Sequence, residues 1–141
     1  MDNGNEPIAD SELLYRRVPA SLGWYDPITN VLGPQAFGPH KERDETGISV
    51  SRNKYKSVED AARGRPGKSY YVAVLCAGDL AKAGIRAEPR PIFGSNPDPS
   101  HTELPQLNAA TRKHDATLEM QRALAQLCLR VEGPFATPPA E

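Results

Sequence analysis

Histidine, cysteine and acidic residues are the usual metal ligands, and in this sequence they are scattered. His40, His101 and His114 lie far apart, and no pair of His or Cys residues has the spacing of a zinc site. The nearest cluster is Asp98, His101 and Glu103, in which a strand would place His101 and Glu103 on one face. A loop edge in contact with solvent explains this cluster more simply than a pair of ligands, so we predict no metal site.

Activated nucleophiles have equally little support in the sequence. Cys76 lies in an apolar strand pattern and Cys128 in an apolar helix pattern, which suits buried thiols, although the sequence leaves their pairing open. Ser49 and Ser51 do not lie on a Gly-x-Ser-x-Gly elbow. The glycines between residues 23 and 47 are spaced as turn residues, so no phosphate-binding loop is predicted.

One ordered set of polar residues remains as a candidate site. It consists of Arg16 or Arg17 in a first extended segment, Ser49 and Ser51 in a second, and Glu103 in a late one. Each also has an ordinary explanation as the polar side of a surface strand. We keep both interpretations at this point.

The three segments that carry this set resemble the ADP-ribosyltransferases of the arginine–serine–glutamate type. The first strand of that family reads like Leu-Tyr-Arg-Arg here. Its second motif looks like Ser-Val-Ser here and is followed by a helix, and its last motif places a glutamate as His-Thr-Glu-Leu does here. Two residues before that glutamate the family commonly has Gln or Glu, where this chain has His101.

The resemblance implies an enzyme that uses NAD. Arg16 or Arg17 would clamp the NAD phosphates, for which a guanidinium fork is suited. Ser49 or Ser51 would shape the nicotinamide pocket. Glu103 would hold a ribose hydroxyl and stabilise the cationic sugar that develops as nicotinamide leaves. The aromatic ring that stacks on the ligand would come from one of three residues, Tyr15, Phe37 or Tyr55.

A second resemblance is broader. Leu-Tyr-Arg-Arg-Val, Pro-Gln-Ala-Phe, Gly-Ile-Ser-Val, the turn at residues 79–85 and His-Thr-Glu-Leu look like a group of small uncharacterised bacterial proteins. This likeness covers most of the folded region, and it implies no activity.

Because no catalytic motif is specific, the leading expectation is a non-enzymatic accessory or interaction domain that binds a partner protein in a bacterial cytoplasm. The turn-rich segments 23–39 and 89–99 are typical of recognition loops on a rigid scaffold. Trp24, Tyr25 and Phe37 would be exposed aromatic anchors there. The alternative is that these aromatic residues cap a small core.

Charge and hydropathy give no strong partner signal. The 17 Lys and Arg residues against 18 Asp and Glu leave a formal net charge of −1, so no whole-molecule field attracts nucleic acid. The densest basic run spans residues 52–68, is interrupted by Glu59 and Asp60, and is interpreted as a solvated surface. No apolar leader or 18-residue apolar run is present, so we expect a cytoplasmic protein without membrane contact.

The sequence pattern predicts one α+β domain over residues 11–132, between polar tails at 1–10 and 133–141. Strands are expected at 13–18, 47–51, 70–76 and 101–104, with the apolar strand 70–76 central to a mixed or antiparallel sheet.

Three helices are expected to pack on this sheet. Ser57 caps the first, and Asp79 caps a short second helix at residues 80–83. The third starts near Asn108 or Asp115, and its apolar face extends to Val131.

Overall fold

A six-stranded antiparallel sheet carries the fold in the computed structural model, which describes residues 3–140. The strands are β1 (Leu13–Pro19), β4 (Ile48–Arg52), β5 (Ser69–Cys76), β6 (Glu88–Pro89), β7 (His101–Leu104) and β8 (Arg130–Ala136). Their order across the sheet is β6-β7-β4-β1-β5-β8. A separate hairpin pairs β2 (Tyr25–Asp26) with β3 (Val31–Leu32). The α+β class with an antiparallel sheet is therefore confirmed.

Pairing between β1 and its two neighbours is unequal. β1 pairs with β5 along its whole length, from Leu13 opposite Cys76 to Pro19 opposite Tyr70. It pairs with β4 at only two positions, of which Tyr15 opposite Ser51 is the last. Beyond that point β4 continues to pair with β7, so the sheet opens between β1 and β4.

Apolar side chains cover both faces of the sheet, and the two layers differ in size. The larger core joins strand residues such as Leu14, Val50 and Leu75 to Leu80 and Leu124 of the covering helices. The smaller core, on the opposite face, contains Tyr15, Tyr70, Val72, Val74 and the helical residues Ala61 and Ala62. The alternation of side chains along β1 and β5 assigns each residue to one layer.

The helices are α1 (Val58–Ala61), α2 (Ala77–Lys82) and α3 (Asp115–Leu127), with short 3₁₀ turns at Ala20–Leu22, Pro34–Phe37 and Ala109–Thr111. Ser57 caps α1 as predicted, since its side chain accepts from the Asp60 amide at 3.1 Å. The predicted cap at Asp79 is wrong, because α2 starts directly after β5 and Asp79 lies in its first turn. Among residues 3–140, no helix is long and apolar enough to cross a membrane.

The C-terminal segment differs from the prediction. Helix α3 begins at Asp115, one of the two expected starts, but it ends at Leu127. Val131 therefore lies on strand β8, which extends to Ala136 and pairs with β5. Residues 133–136 are thus not part of a tail. Pro134 suggested a tail, but a proline is tolerated in β8 because it is an edge strand.

The N-terminal segment also packs on the sheet. The guanidinium of Arg52, which is 1% exposed, donates to both carboxylate oxygens of Glu12, at 2.7 and 2.9 Å. It also donates to the backbone carbonyls of Gly4 and Glu6, and it lies 3.4 Å from the Glu6 carboxylate. We call Glu6, Glu12 and Arg52 the N-terminal clamp. Residues 1, 2 and 141 of the predicted tails lie outside the described residues.

Candidate ligand-binding site

The opening between β1 and β4 is occupied by the side chain of Arg16. Its Nε donates to the carbonyl of Ala36 at 2.9 Å, and its Nη1 donates to the carbonyl of Ser49 at 2.8 Å. Ala36 belongs to the 3₁₀ turn Pro34–Phe37, and Ser49 belongs to β4. The arginine therefore replaces the strand pairing that β1 and β4 lack there.

A cleft of about 1340 Å³ surrounds this arginine. Nine of the 17 Lys and Arg residues of the chain line it, but only three of the 18 Asp and Glu residues do. We call it the basic cleft. Its basic residues are Arg16, Arg17, Arg43, Lys56, Arg63, Arg65, Lys68, Arg112 and Lys113, and its acidic residues are Asp44, Asp60 and Asp98. A chain with almost no net charge thus concentrates positive charge around the opening between β1 and β4, on both sides of the sheet.

The basic residues of the cleft differ in ion pairing from the other Lys and Arg residues of the chain. Among residues 3–140, Lys56 alone of the nine cleft cations has a carboxylate within 4.0 Å. Of the eight basic residues elsewhere, six are ion-paired. The cations outside the cleft are therefore mostly neutralised locally, whereas eight of the nine in the cleft have no carboxylate that close among the described residues.

Arg16 is a half-buried cation of the cleft, as are Lys56 and Arg112. Burial lowers the pKa of the Arg16 guanidinium to about 10, although the charge of Asp44 opposes that change. Its described hydrogen bonds go to neutral carbonyls and not to a carboxylate. A poorly hydrated cation with neutral partners attracts an anion strongly.

Arg17 lies on the opposite side of β1 from Arg16. Its guanidinium packs over the ring of Tyr70, 5.2 Å from the ring centre, and donates to the carbonyl of Arg63. The cation–π contact fixes the orientation of the side chain while leaving its charge uncompensated.

Ser49 and His101 are in contact within the cleft. The Ser49 hydroxyl and the His101 Nε2 are 3.1 Å apart, and the His101 Nδ1 is 2.8 Å from the carbonyl of Arg90. Ser51 lies opposite His101 in the strand register and also lines the cleft. The strand register therefore places both serines and the histidine on one face.

Lys56 and Asp98 form an ion pair in the cleft, with 3.0 Å between Nζ and Oδ2. Burial raises the pKa of the Asp98 carboxyl, but hydrogen bonds from Ser100 and Lys56 outweigh burial and leave the pKa below its usual value. Asp98 also accepts from the backbone amide of Ser100 at 3.0 Å. This aspartate is engaged in holding the loop before β7.

Glu103 is adjacent to the site but does not line it. It lies directly opposite Ser49 in the register of β4 and β7, on the same face. Its carboxylate accepts from the Thr46 hydroxyl at 2.8 Å, and His101 lines the cleft in its place. Of the predicted site residues, those that line the cleft are Tyr15, Arg16, Arg17, Trp24, Ser49 and Ser51.

The predicted aromatic residues have different environments. Phe37 is fully buried in the larger core, so the expectation that it is an exposed anchor or a stacking ring is wrong. Tyr55 contacts the N-terminal clamp through Glu6, away from the cleft. Trp24 is half-buried and lines the cleft, and Tyr25 packs edge-on against Tyr71 with 4.8 Å between ring centres.

Several cleft residues were not predicted as site residues. The sequence predicts a solvated surface for the basic run at 52–68, whereas four of its six cations line the cleft. They are joined there by Arg43, Arg112 and Lys113, which are distant in sequence. No local pattern signals this convergence, because it depends on the opening between β1 and β4. No group of three or more His, Cys, Asp or Glu residues able to hold a metal occurs within residues 3–140.

No protein-family model matches the chain, and comparisons with curated proteins and with solved structures also give no match.

Proposed function

We propose that this protein binds a phosphate-bearing ligand in the basic cleft, and that NAD is the first ligand to test. The observation that carries the proposal is the contrast in ion pairing among residues 3–140: one of nine basic residues is paired in the cleft, against six of eight elsewhere. Bringing like charges together without counter-charges destabilises a fold, so a bound anion is the natural compensation.

The cleft residues divide into two roles under this proposal. Arg16 lies in the opening between β1 and β4, and its two carbonyl contacts fix its guanidinium for a phosphate group. The exposed Arg43, Arg63 and Arg65 attract the ligand and contact its outer charges. The volume of about 1340 Å³ exceeds the roughly 300–1,000 Å³ of small-molecule sites, so there is room for a dinucleotide.

A thermal-shift panel tests the proposal. NAD, ADP-ribose and pyrophosphate are each added to the protein, with adenosine as the uncharged comparison. We expect the phosphate-bearing compounds to raise the Tm and adenosine to leave it unchanged, since ligands that bind only the folded state stabilise it. Higher salt reduces the shift, because it screens the charges.

Two double variants provide matched controls of equal charge change. Arg43→Gln with Arg65→Gln removes two cleft cations, and Arg122→Gln with Arg130→Gln removes two cations ion-paired elsewhere. We expect the cleft variant to weaken binding about tenfold or more and the other to leave it unchanged. Equal effects from both variants, or no shift with any phosphate compound, would rule out the cleft as the site.

Cleavage of NAD is the enzymatic version that the family resemblance implies. It requires the Glu103 carboxylate to leave Thr46 and turn toward the ligand, starting from a position directly opposite Ser49. Release of nicotinamide by the parent and by Glu103→Gln distinguishes cleavage from binding alone. Unchanged turnover in the variant would remove Glu103 from the mechanism and leave the binding proposal intact.

A protein partner is a second candidate function, favoured by one observation. Three apolar side chains around the β2–β3 hairpin are exposed: Leu22 by 53%, Ile28 by 93% and Val31 by 59%. They are close in sequence to Trp24, and exposed apolar side chains close together are typical of interaction surfaces. Co-purification of the parent and of an Ile28→Ser, Val31→Ser variant tests it. A folded variant that retains every partner would contradict this role.

A further inference from the structure

The Ser49–His101 contact has a defined hydrogen-bond direction. The carbonyl of Arg90 can only accept, so the His101 Nδ1 at 2.8 Å must carry the proton. In a neutral imidazole the other nitrogen then has the free lone pair. The His101 Nε2 therefore accepts from the Ser49 hydroxyl at 3.1 Å. This arrangement of hydroxyl, imidazole and orienting acceptor matches that of an activated serine.

Hydrogen bonds to the main chain of Ser49 and of His101 hold both partners of this contact in place. The amide of Arg90 donates to the carbonyl of His101 at 2.9 Å, so the residue that orients the imidazole also pairs with its main chain. Pro89 and Pro91, whose rings fix their own φ angles, flank Arg90 in the sequence. On the other side, Arg16 fixes the carbonyl of Ser49.

We infer that Ser49 is the nucleophile and His101 the general base of a site that cleaves phosphate esters. The choice of phosphorus as the electrophile rests on the proposed function, in which the cleft binds phosphate. Arg17 and Lys56 line the same cleft, and their charges stabilise the negative oxygens of a phosphoryl group in transfer.

The reaction balances without a metal or an oxidant. The Ser49 Oγ bonds to phosphorus as its proton passes to the His101 Nε2, and the bond from phosphorus to the leaving oxygen breaks. In a phosphate diester the leaving oxygen lies in line on the side away from Oγ, so it departs as an oxide and takes a proton from water. Water then attacks the phosphodiester formed on Ser49 from that side and loses a proton to solvent, while the protonated His101 Nε2 returns its proton to Oγ; this releases a phosphate monoester and restores the serine hydroxyl.

A fluorophosphonate probe tests the inference without knowledge of the natural substrate. Attack by an activated serine on its phosphorus expels fluoride and leaves a stable adduct, which peptide mass spectrometry locates. We expect the adduct on Ser49 of the parent protein. An adduct on Ser51, or no adduct at all on the folded parent, would overturn the inference.

Variants examine the role of the histidine. His101→Gln removes the base and is expected to slow labelling roughly 100-fold or more, while circular dichroism checks its folding. Ser49→Ala is expected to abolish labelling, and Ser95→Ala, at an exposed serine outside the cleft, to leave it unchanged. Equal labelling of the parent and a folded His101→Gln would overturn the assigned base.

Substrate class is examined with two chromogenic esters. We expect hydrolysis of bis(p-nitrophenyl) phosphate that depends on Ser49, and no Ser49-dependent hydrolysis of p-nitrophenyl acetate. The reverse pattern would overturn the assignment to phosphate esters. If NAD raises the Tm of the protein but the fluorophosphonate probe does not label it, this inference is overturned and the proposed function still holds.

Discussion

Two arginines on adjacent strands, Arg52 in the N-terminal clamp and Arg16 in the basic cleft, show how differently one sheet uses the same side chain. Arg52 donates to a carboxylate through two nitrogens and to two carbonyls through the third. Hydrogen bonding to Glu12 raises the pKa of Arg52, whereas burial lowers the pKa of Arg16 to about 10. The clamp satisfies its cation internally, and the cleft does not.

This difference separates a structural charge from a candidate functional one. Arg52 fastens residues 4–12 to β4 and faces the buried side of that strand. Arg16 is fixed by neutral carbonyls, and most of the cations that line the cleft with it have no carboxylate partner within the described part of the chain. Changes in the clamp should therefore affect stability, and changes in the cleft should affect binding.

The largest expected effect comes from breaking the clamp. Arg52→Met leaves the Glu12 carboxylate, 10% exposed, without its cation, and should lower the free energy of unfolding by about 3–5 kcal/mol. Urea denaturation measures the loss. Adding Glu12→Gln should restore part of it, because the buried negative charge is then also removed. A loss below about 1 kcal/mol would show that the clamp is not structural.

Arg16→Gln should have an intermediate effect on stability and a strong effect on binding. Loss of the hydrogen bonds to Ala36 and Ser49 is expected to cost roughly 1–3 kcal/mol in unfolding free energy. NAD should no longer raise the Tm of this variant. A variant that keeps both its stability and the ligand-induced gain would contradict the role given to this arginine.

The pH dependence of stability tests the role of Glu6 in the N-terminal clamp. The Tyr55 hydroxyl donates to the Glu6 carboxylate and, with Lys54 and Arg52 nearby, lowers the Glu6 pKa from 4.5 to about 2. Because the folded pKa is the lower one, this stabilisation is present above about pH 4.5 and is lost as the pH falls toward 2. Denaturation of the parent and of Glu6→Gln between pH 2 and 5 measures it. An identical pH slope in both would contradict the assignment.

The smallest stability effects should come from exposed cleft cations. Arg43→Gln is expected to change the free energy of unfolding by less than about 0.5 kcal/mol, since its side chain is exposed and has no ion pair among the described residues. Urea denaturation against Lys82→Gln, an exposed cation outside the cleft, provides the comparison. A loss of more than about 1 kcal/mol specific to Arg43 would show a structural role.

Local patterns in the sequence predicted most of the elements. Alternating and continuous apolar residues located β1, β4, β5 and β7, and Ser57 marked the start of α1. The apolar spacing that extended α3 to Val131 failed, because Val131 also suits the interior of an edge strand. Pro134 argued against a strand at residues 130–136, because proline suits only edge strands and a sequence alone does not reveal which strand lies at an edge.

Local patterns also predicted part of the candidate site. Arg16, Arg17, Ser49 and Ser51 lie on the neighbouring strands β1 and β4, at and beyond the point where their pairing ends. The cations at 43, 63, 65, 112 and 113 converge only through the opening between β1 and β4, which no local pattern encodes. Phe37 was misplaced because an aromatic residue in a turn-rich segment suits a buried 3₁₀ turn as well as an exposed loop.

The most direct test of the proposed binding site is the mapping of amide chemical shifts while ADP-ribose is titrated into isotope-labelled protein. We expect saturable shifts centred on residues 16–17, 49–51 and 101, and their loss in the double variant Arg43→Gln with Arg65→Gln. Shifts confined to the N-terminal clamp or to the β2–β3 hairpin, or no shifts at millimolar ligand, would contradict it.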